Sequence, residues 1–334
     1  MCRGLHNRIG GGLPNIFRAW REFISGKKNK LDTSEFVLDL YSNLKNLQTD
    51  LLAGKYLHGG YKYFKVKDPK NRDIHKASVR DRVVHHLLYS ALYPHFDHYF
   101  IYDSYSCRNN KGTHCGIRKF ADLISSASQR NTKPVWILKC DIKKCFASID
   151  HNILLGLLKR HIDCPRLYQV VQSVISSFSS GKIGKGIPLG NLTSQLFVNI
   201  YMHELDNYIK RTLRIKYYIR YSDDFVIVAN DKLTLNYYSD LISRFVENNL
   251  KLQIYPNKIF IKTLSSGLDF LGWKFFSDHR VTRSSTKKRM LKKIKSSQHQ
   301  NETILSYLGM LSHGDAYKCR KHISKMLNYP LWKT

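Results

Sequence analysis

The apolar and polar positions divide the chain into alternating helical and extended stretches. Through residue 60 the pattern is helical with charged breaks. Phe36, Leu38, Leu40, Leu44, Leu47 and Leu51-Leu52 recur at loosely helical spacing, and Gly59-Gly60 ends the run. Gly10-Gly11-Gly12 predicts a flexible stretch. Tyr61, Tyr63 and Phe64 to Val66 predict a strand, Asp68-Pro69-Lys70-Asn71 a turn, and Arg72 to Ile74 the start of a returning strand. Helices follow over 81–99 and 117–130, separated by the Gly-, Asn- and Lys-rich loop SYSCRNNKGTHCGI at 104–117. Val135 to Asp141 (VWILKCD) predicts a short apolar strand that ends in a carboxylate. Residues 152–180 read as an amphipathic helical region, and 181–190 (GKIGKGIPLG) as a Gly-rich loop. A long helix is expected over 191–207, with Leu196, Phe197, Ile200, Tyr201 and Leu205 forming one face that packs on a sheet. Tyr217-Tyr218-Ile219 and Phe225 to Val228 read as two strands around a tight turn. Beyond them lie a helix over 232–250, two short strands about Pro256-Asn257-Lys258, and a hairpin over 267–276 tipped by Leu271-Gly272. Residues 280–334 read as a separate helical module.

The turn of the central hairpin is Tyr221-Ser222-Asp223-Asp224. Adjacent carboxylates between apolar strands are costly unless something positive sits beside them. A divalent ion held against phosphate oxygens would supply that charge; a solvated Asp-Asp turn would need none. Asp141, at the exit of a buried strand, stands where enzymes tend to place ligands, and it could also cap a helix. The order of these elements says more than any one of them. A strand ending in Asp141, a Gly-loop with a long helix, and a hairpin bearing Asp223-Asp224 bring the carboxylates together only on adjacent strands of an antiparallel sheet covered by helices. Such a site holds two divalent ions about 4 Å apart, as in-line phosphoryl transfer needs.

Composition turns this chemistry toward nucleic acid. Across 334 residues, 55 Lys and Arg oppose 25 acids, giving a formal charge of +30. Such a surface suits a polyanion held through many phosphate contacts. Thirteen of the basic residues lie in 280–334, against Glu302 and Asp315, so that module is a basic one. Lys65, Lys67, Lys70 and Arg72 crowd one hairpin, which is either a solvated sheet edge or a clamp for a triphosphate. The Gly-loop is not a Walker A, since the Lys-Ser/Thr dipeptide is missing. Seven Cys without a CxxC pair argue against disulfides and a structural zinc and for a reduced, cytosolic setting. His85-His86, in a helical run, read as packed or surface residues rather than ligands. No apolar run long enough to span a bilayer is present, and the N-terminus lacks the continuous apolar stretch of a secretory signal.

With these residues in order, the sequence resembles a reverse transcriptase over about residues 60–275. Tyr221-Ser222-Asp223-Asp224 matches the family's YxDD box. Asp141 with Phe146 matches its first catalytic Asp and aromatic gate. Gly190 and Ser194 match its loop-helix motif, and Asn257-Lys258 and Leu271-Gly272-Trp273 its later motifs. Within the family, FKVKDPKNRDI, VRDRVVHHLL, DSYSCRNNKGTH and IPLGNLTSQLFVNIYMHELD are most similar to the reverse transcriptases of diversity-generating retroelements. Most family members carry a QGxxxSP-type motif; here Leu189 replaces its Gln and Gln195 its Pro, as is typical of that mutagenic subgroup. Retron enzymes are the nearest rivals, but neither their NAxxH nor their VTG signature is present. A host-defence reverse transcriptase and a non-catalytic, nucleic-acid-binding polymerase fold are further alternatives; intact Asp141, Asp223 and Asp224 oppose the latter.

The resemblance implies an α+β, right-hand polymerase fold. Its parts would be an N-terminal helical segment and fingers (1–135), an antiparallel-sheet palm (136–278, with a helical insertion near 152–185) and a small basic helical thumb (279–334). It implies RNA-directed DNA synthesis with two Mg²⁺ ions at Asp141, Asp223, Asp224 and the Ile142 carbonyl, and Lys258 as general acid near the pyrophosphate. Lys67 and Arg72 would grip the triphosphate, and Phe146 would exclude a 2′-hydroxyl. Leu189, Gly190 and Gln195 would line the nucleotide, while Tyr221, Ser222 and Trp273 would face the primer and template, Trp273 having core packing as its alternative. The subgroup further implies dNTP substrates, a structured template RNA with a cDNA or primer, a basic pentameric accessory variability protein, adenine-directed errors, and a cytoplasmic setting in a bacterium, archaeon or phage.

Overall fold

A computed structural model describes residues 13–67, 71–296 and 301–327. The Gly10-Gly11-Gly12 stretch and the turn at Asp68-Pro69-Lys70 lie outside the described residues. Three helices open the described chain: α1 (Leu13–Ile24), α2 (Leu31–Val37) and α3 (Leu40–Leu52). The antiparallel hairpin β1 (Tyr61–Val66) and β2 (Arg72–Ala77) follows, as its alternating and turn residues predict. Ser78 then caps α4 (Val79–Tyr99) by accepting a hydrogen bond from the Asp81 amide. Next come α5 (Thr113–Ala127), β3 (Trp136–Asp141), and the short helix α6 (Cys145–Ser148).

The expected helical region over 152–180 is two helices, α7 (His151–Lys159) and α8 (Pro165–Ser176). Pro165 suits the first turn of α8, where its missing amide has no partner within the helix to lose. Helix α9 (Leu192–Asn207) precedes the hairpin β4 (Tyr218–Tyr221) and β5 (Asp224–Ala229), then α10 (Lys232–Asn248) and β6 (Phe260–Thr263). The first of the two strands expected about Pro256 is only a single bridge, Ile254 to Ile142, because Pro256–Lys258 forms a 3₁₀ turn. The hairpin β7 (Leu268–Phe270) and β8 (Trp273–Phe275) forms as expected. Residues 280–282, read as helical, are instead strand β9 (Arg280–Thr282), which pairs with β8 and carries the sheet past the expected boundary at 279. The basic helices α11 (Ser284–Ser296), α12 (Asn301–Leu311) and α13 (Tyr317–Leu327) close the described chain around a small core of their own, including Met290, Ile294, Leu311 and Ile323.

Four strands form the central sheet in the order β4-β5-β3-β6, every neighbour antiparallel. Helix α9 crosses behind it and is buried almost all round, rather than on the one face its aliphatic spacing suggested. Its polar residues are buried because each finds a partner. Thr193 meets His85, Ser194 bonds the Pro188 carbonyl, Asn199 the Ser106 carbonyl, and Asp206 pairs with Arg220. Among the described residues no helix is long and apolar enough to cross a membrane.

Candidate active site

Strand register builds the carboxylate cluster. Pairing of β3 with β5 sets Asp141 opposite Asp224, and pairing of β4 with β5 sets Tyr221 opposite Asp224. Directly opposite residues share a face of the sheet, so both carboxylates rise from the same end. Asp223 sits in the turn beside them, where its carbonyl accepts from the Ile142 amide at 3.2 Å. The Asp141 carbonyl accepts from the Tyr255 amide at 3.1 Å, which carries Lys258 over the same end. The helix-cap reading of Asp141 does not hold: Lys144 occupies the N-cap of α6, which has no side-chain cap.

Two lysines partner these acids. Lys258 Nζ lies 2.8 Å from Asp141 Oδ2, and Lys139 Nζ 2.9 Å from Asp224 Oδ2. Lys139 also donates to the Asp269 carbonyl at 2.7 Å, joining the central sheet to the one behind it. The acids remain under strain. Burial, and then the Asp141 charge, push the Asp223 carboxyl up. Burial pushes Asp224 up to about 6 although Lys139 opposes it, and Asp141 and Asp223 add to the rise. The Asp224 Oδ1 atom is buried without a hydrogen-bond partner. Hydrogen bonding to Asp141 raises the pKa of Lys258. Among the described residues no three His, Cys, Asp or Glu side chains stand in ligating geometry; the lysine ammonium groups hold two of the three acids instead. Mutually repelling, half-buried carboxylates with an unpartnered oxygen fit hard divalent cations, which prefer oxygen ligands.

The turn itself is held by a buried cation. Ser222 has φ 59°, a left-handed conformation uncommon outside glycine. Its carbonyl accepts from Arg220 Nη1 at 2.9 Å. Arg220 and Asp206 are both fully buried and paired, with Nε to Oδ1 at 2.8 Å and Nη2 to Oδ2 at 2.6 Å. The Tyr218 hydroxyl donates to the same Asp206.

The Gly-loop is stitched to the hairpin β1–β2. The His75 amide donates to the Leu189 carbonyl at 2.9 Å. Asn191 donates from Nδ2 to the His75 carbonyl and accepts the Ala77 amide at Oδ1. Gly190 has φ 117°, and a Cβ there would lie 2.7 Å from Ile74 Cγ2. Leu189 is half-buried, so its side chain stays available while its backbone is fixed. Phe146 is half-buried in α6, just past the exit of β3, and its carbonyl accepts from the Ile187 amide at 2.8 Å. Gln195 Oε1 accepts weakly from Cys107 Sγ. Lys67 and Arg72 are exposed at the end of the hairpin where β1 passes into β2, beside the Val66–Arg72 pair. The Tyr221 hydroxyl bonds Thr113.

Trp273 is packed in the core. The residue is 2 % exposed and belongs to the apolar cluster between the sheets, which is the packing alternative. Gly314 lies against it, and a Cβ there would come 2.2 Å from the ring. Sequence reasoning missed Lys139, Arg220, Asp206 and Asn191. For Lys139 a signal existed, since it lies two residues before Asp141 and therefore on the same face of the strand.

The family model described as "Reverse transcriptase (RNA-dependent DNA polymerase)" matches residues 65–275. Protein YkfC of Escherichia coli K12 is 24% identical over 286 residues, covering 73% of this chain and 72% of that protein. The group II intron-encoded protein LtrA of Lactococcus lactis is 27% identical over 221 residues, covering 46% of this chain and 36% of that protein. Among solved structures, telomerase from Candida albicans in complex with a TWJ fragment of telomeric RNA matches with a TM-score of 0.51 at 14% identity, over 70% of this chain and 46% of that one. Apo telomerase from Candida tropicalis matches with a TM-score of 0.51 at 14% identity, over 75% of this chain and 54% of that one. The chain thus spans about a third of LtrA and about half of the telomerases. These likenesses identify the α+β architecture as the right-hand polymerase fold. With the motif carboxylates gathered on one sheet end and well over half of the chain matched by the family model, the chain belongs to the reverse transcriptase family, with relatives among group II intron-encoded proteins.

Proposed function

We propose that the chain is an RNA-directed DNA polymerase that copies a structured template-repeat RNA with errors at adenines, to diversify a target gene. The observation that carries the polymerase reading is the register of Asp141 against Asp224 with Asp223 in the adjoining turn. Residues 1–135 serve as N-terminal segment and fingers, the central sheet and its helices as palm, and the basic helices after β9 as thumb. Asp141, Asp223 and Asp224, with the Ile142 carbonyl, would hold two Mg²⁺ ions. When bound, these activate the primer 3′-hydroxyl and neutralise triphosphate charge. Bound cations would take over the carboxylates that Lys258 and Lys139 now pair with, and Lys258 would then be free to serve as a proton donor to the leaving pyrophosphate. Lys67 and Arg72 grip the triphosphate from the hairpin, and its hydrogen bonds to Leu189 and Asn191 carry that grip to the nucleotide-facing loop. Primer extension on RNA with Mg²⁺ tests the reading; absence of dNTP incorporation with cognate RNA and accessory protein would sink it.

Two side chains set selectivity under this proposal. Phe146 stands below the ribose and excludes a 2′-hydroxyl. Phe146→Ala should lower the preference for dNTP over rNTP by at least about tenfold, or 1.4 kcal/mol. Steady-state incorporation of paired dATP and rATP reads this, and an unchanged ratio removes Phe146 from the role. Leu189 offers no hydrogen bond where most family members offer a Gln. A lost contact of about 1 kcal/mol loosens discrimination several-fold. Leu189→Gln should therefore reduce misincorporation opposite template adenine by about that factor. The loop should tolerate the change, because the Leu189 backbone, not its side chain, is bonded to β2. Sequencing of cDNA clones measures it, and an unchanged adenine error rate would sink this account of infidelity. The +30 charge supports partners that are polyanionic, and binding of template RNA should weaken steeply with salt. The basic pentameric accessory protein and the cytoplasmic setting belong to the same proposal.

A further inference from the structure

The fully buried Arg220 is neither a metal ligand nor a surface phosphate contact, yet it touches the catalytic turn. We propose that Arg220, oriented by Asp206, is a positioning residue that locks the Ser222 turn and thereby sets the Asp223 carboxylate for divalent-cation binding. The inference rests on the reading of Asp141 and Asp223 as cation ligands.

The geometry is that of a relay with one input and one output. On one side Asp206 of α9 receives two guanidinium hydrogen bonds and the Tyr218 hydroxyl. That uses Nε and Nη2 and fixes the plane of the guanidinium. The remaining nitrogen, Nη1, then points along the strand and reaches the Ser222 carbonyl at 2.9 Å and Asn199 Oδ1 at 3.3 Å. The Arg220 backbone is fixed as well, donating to the Asp103 carbonyl and accepting from the Tyr105 amide. Ser222 is the one residue of the Tyr221-to-Asp224 turn with positive φ, so its peptide needs a reason to stay there. A charge-assisted bond to its carbonyl supplies that reason, and Asp223 follows directly in the chain.

Folding alone does not explain a buried ion pair at this place. Replacing such a pair with apolar side chains of similar volume is often neutral for stability or better. A lysine could balance the Asp206 charge but could not hold the carboxylate in a two-point fork and reach Ser222 together.

Two variants of the full chain test this, Arg220→Lys and the double variant Arg220→Met with Asp206→Leu. The primary readout is Mn²⁺ binding followed by electron paramagnetic resonance, with thermal melting alongside. Both variants should melt cooperatively and bind Mn²⁺ about 10- to 100-fold more weakly, the range typical of lost outer-sphere support. Adding Ser222→Gly to the double variant should recover part of that loss, because glycine holds positive φ unaided. Unchanged Mn²⁺ affinity in a folded variant overturns the proposal. Loss of the cooperative melt in both would assign the pair to folding alone and also overturn it. Primer extension by the wild-type chain is scored separately. If it fails while the Mn²⁺ shift appears, the polymerase reading falls and the positioning role stands; if it succeeds while the shift is absent, the reverse holds.

Discussion

Asp223→Asn should abolish primer extension while leaving the fold as stable as before, or more so. The two halves of this expectation come from the same geometry. Asp223 lies where burial and the Asp141 charge both disfavour its ionised form. A carboxyl whose folded pKa is raised costs stability at neutral pH, where it is ionised, and that cost fades as pH falls toward its ordinary value. Asn keeps the shape and removes the charge, so the melting temperature at neutral pH should hold or rise. Catalysis needs the charge. Without it the two remaining carboxylates are each matched by a lysine, Asp141 by Lys258 and Asp224 by Lys139, and little net attraction for a cation is left. Losing one such electrostatic element costs on the order of 10³-fold in rate, or about 4 kcal/mol. Single-turnover incorporation of one dNTP, with a melting curve of the same preparation, reads both halves. Incorporation within tenfold of wild type would remove Asp223 from the site, and a large drop in melting temperature would make its role structural.

The stability half of that expectation came from the structure, and the activity half was legible in the sequence. The difference lies in what one dimension of pattern can report. Asp141 ends an apolar strand and Asp223-Asp224 sit between two others, so their meeting on adjacent strands follows from alternation and order. Arg220 sits in a short strand of the same kind, but its pairing partner, Asp206, lies on a helix fourteen residues earlier. A lone Arg in an apolar run reads as an edge residue until the buried acid is seen. Helix α9 misled in the same way. Its aliphatic residues mark one face, whereas Thr193, Ser194, Asn199 and Asp206 bury the others through partners from four different segments. Trp273 needed Gly314, far along the chain, to show that its ring is covered. Residues 280–282 joined a sheet because β8 offered an edge, which local basic composition does not reveal.

Gly190→Ala should be the most damaging conservative change outside the carboxylates. Two independent costs meet at this residue. Its φ of 117° is one that an L side chain rarely adopts, and the new Cβ would stand 2.7 Å from Ile74 Cγ2. Ile74 is β-branched and stiff about χ1, so it does not simply swing away. The strain lands on the contact that joins hairpin β1–β2 to the Gly-loop, where the His75 amide meets the Leu189 carbonyl and Asn191 meets His75 and Ala77. A backbone conformation of this kind costs about 1–3 kcal/mol, and relief by parting the hairpin from the loop would loosen Lys67 and Arg72 from the triphosphate they are proposed to hold. The expected result is a fall in kcat/KM for dNTP of about 100-fold, since a misplacement near 1 Å suffices for that, with a smaller loss in melting temperature. Ile74→Ala in the same chain removes the clash and leaves the φ strain, so it should return part of the activity. A Gly190→Ala enzyme with wild-type kcat/KM would mean that the hairpin and the loop move independently during incorporation, and that the stitched contact has no part in gripping the nucleotide.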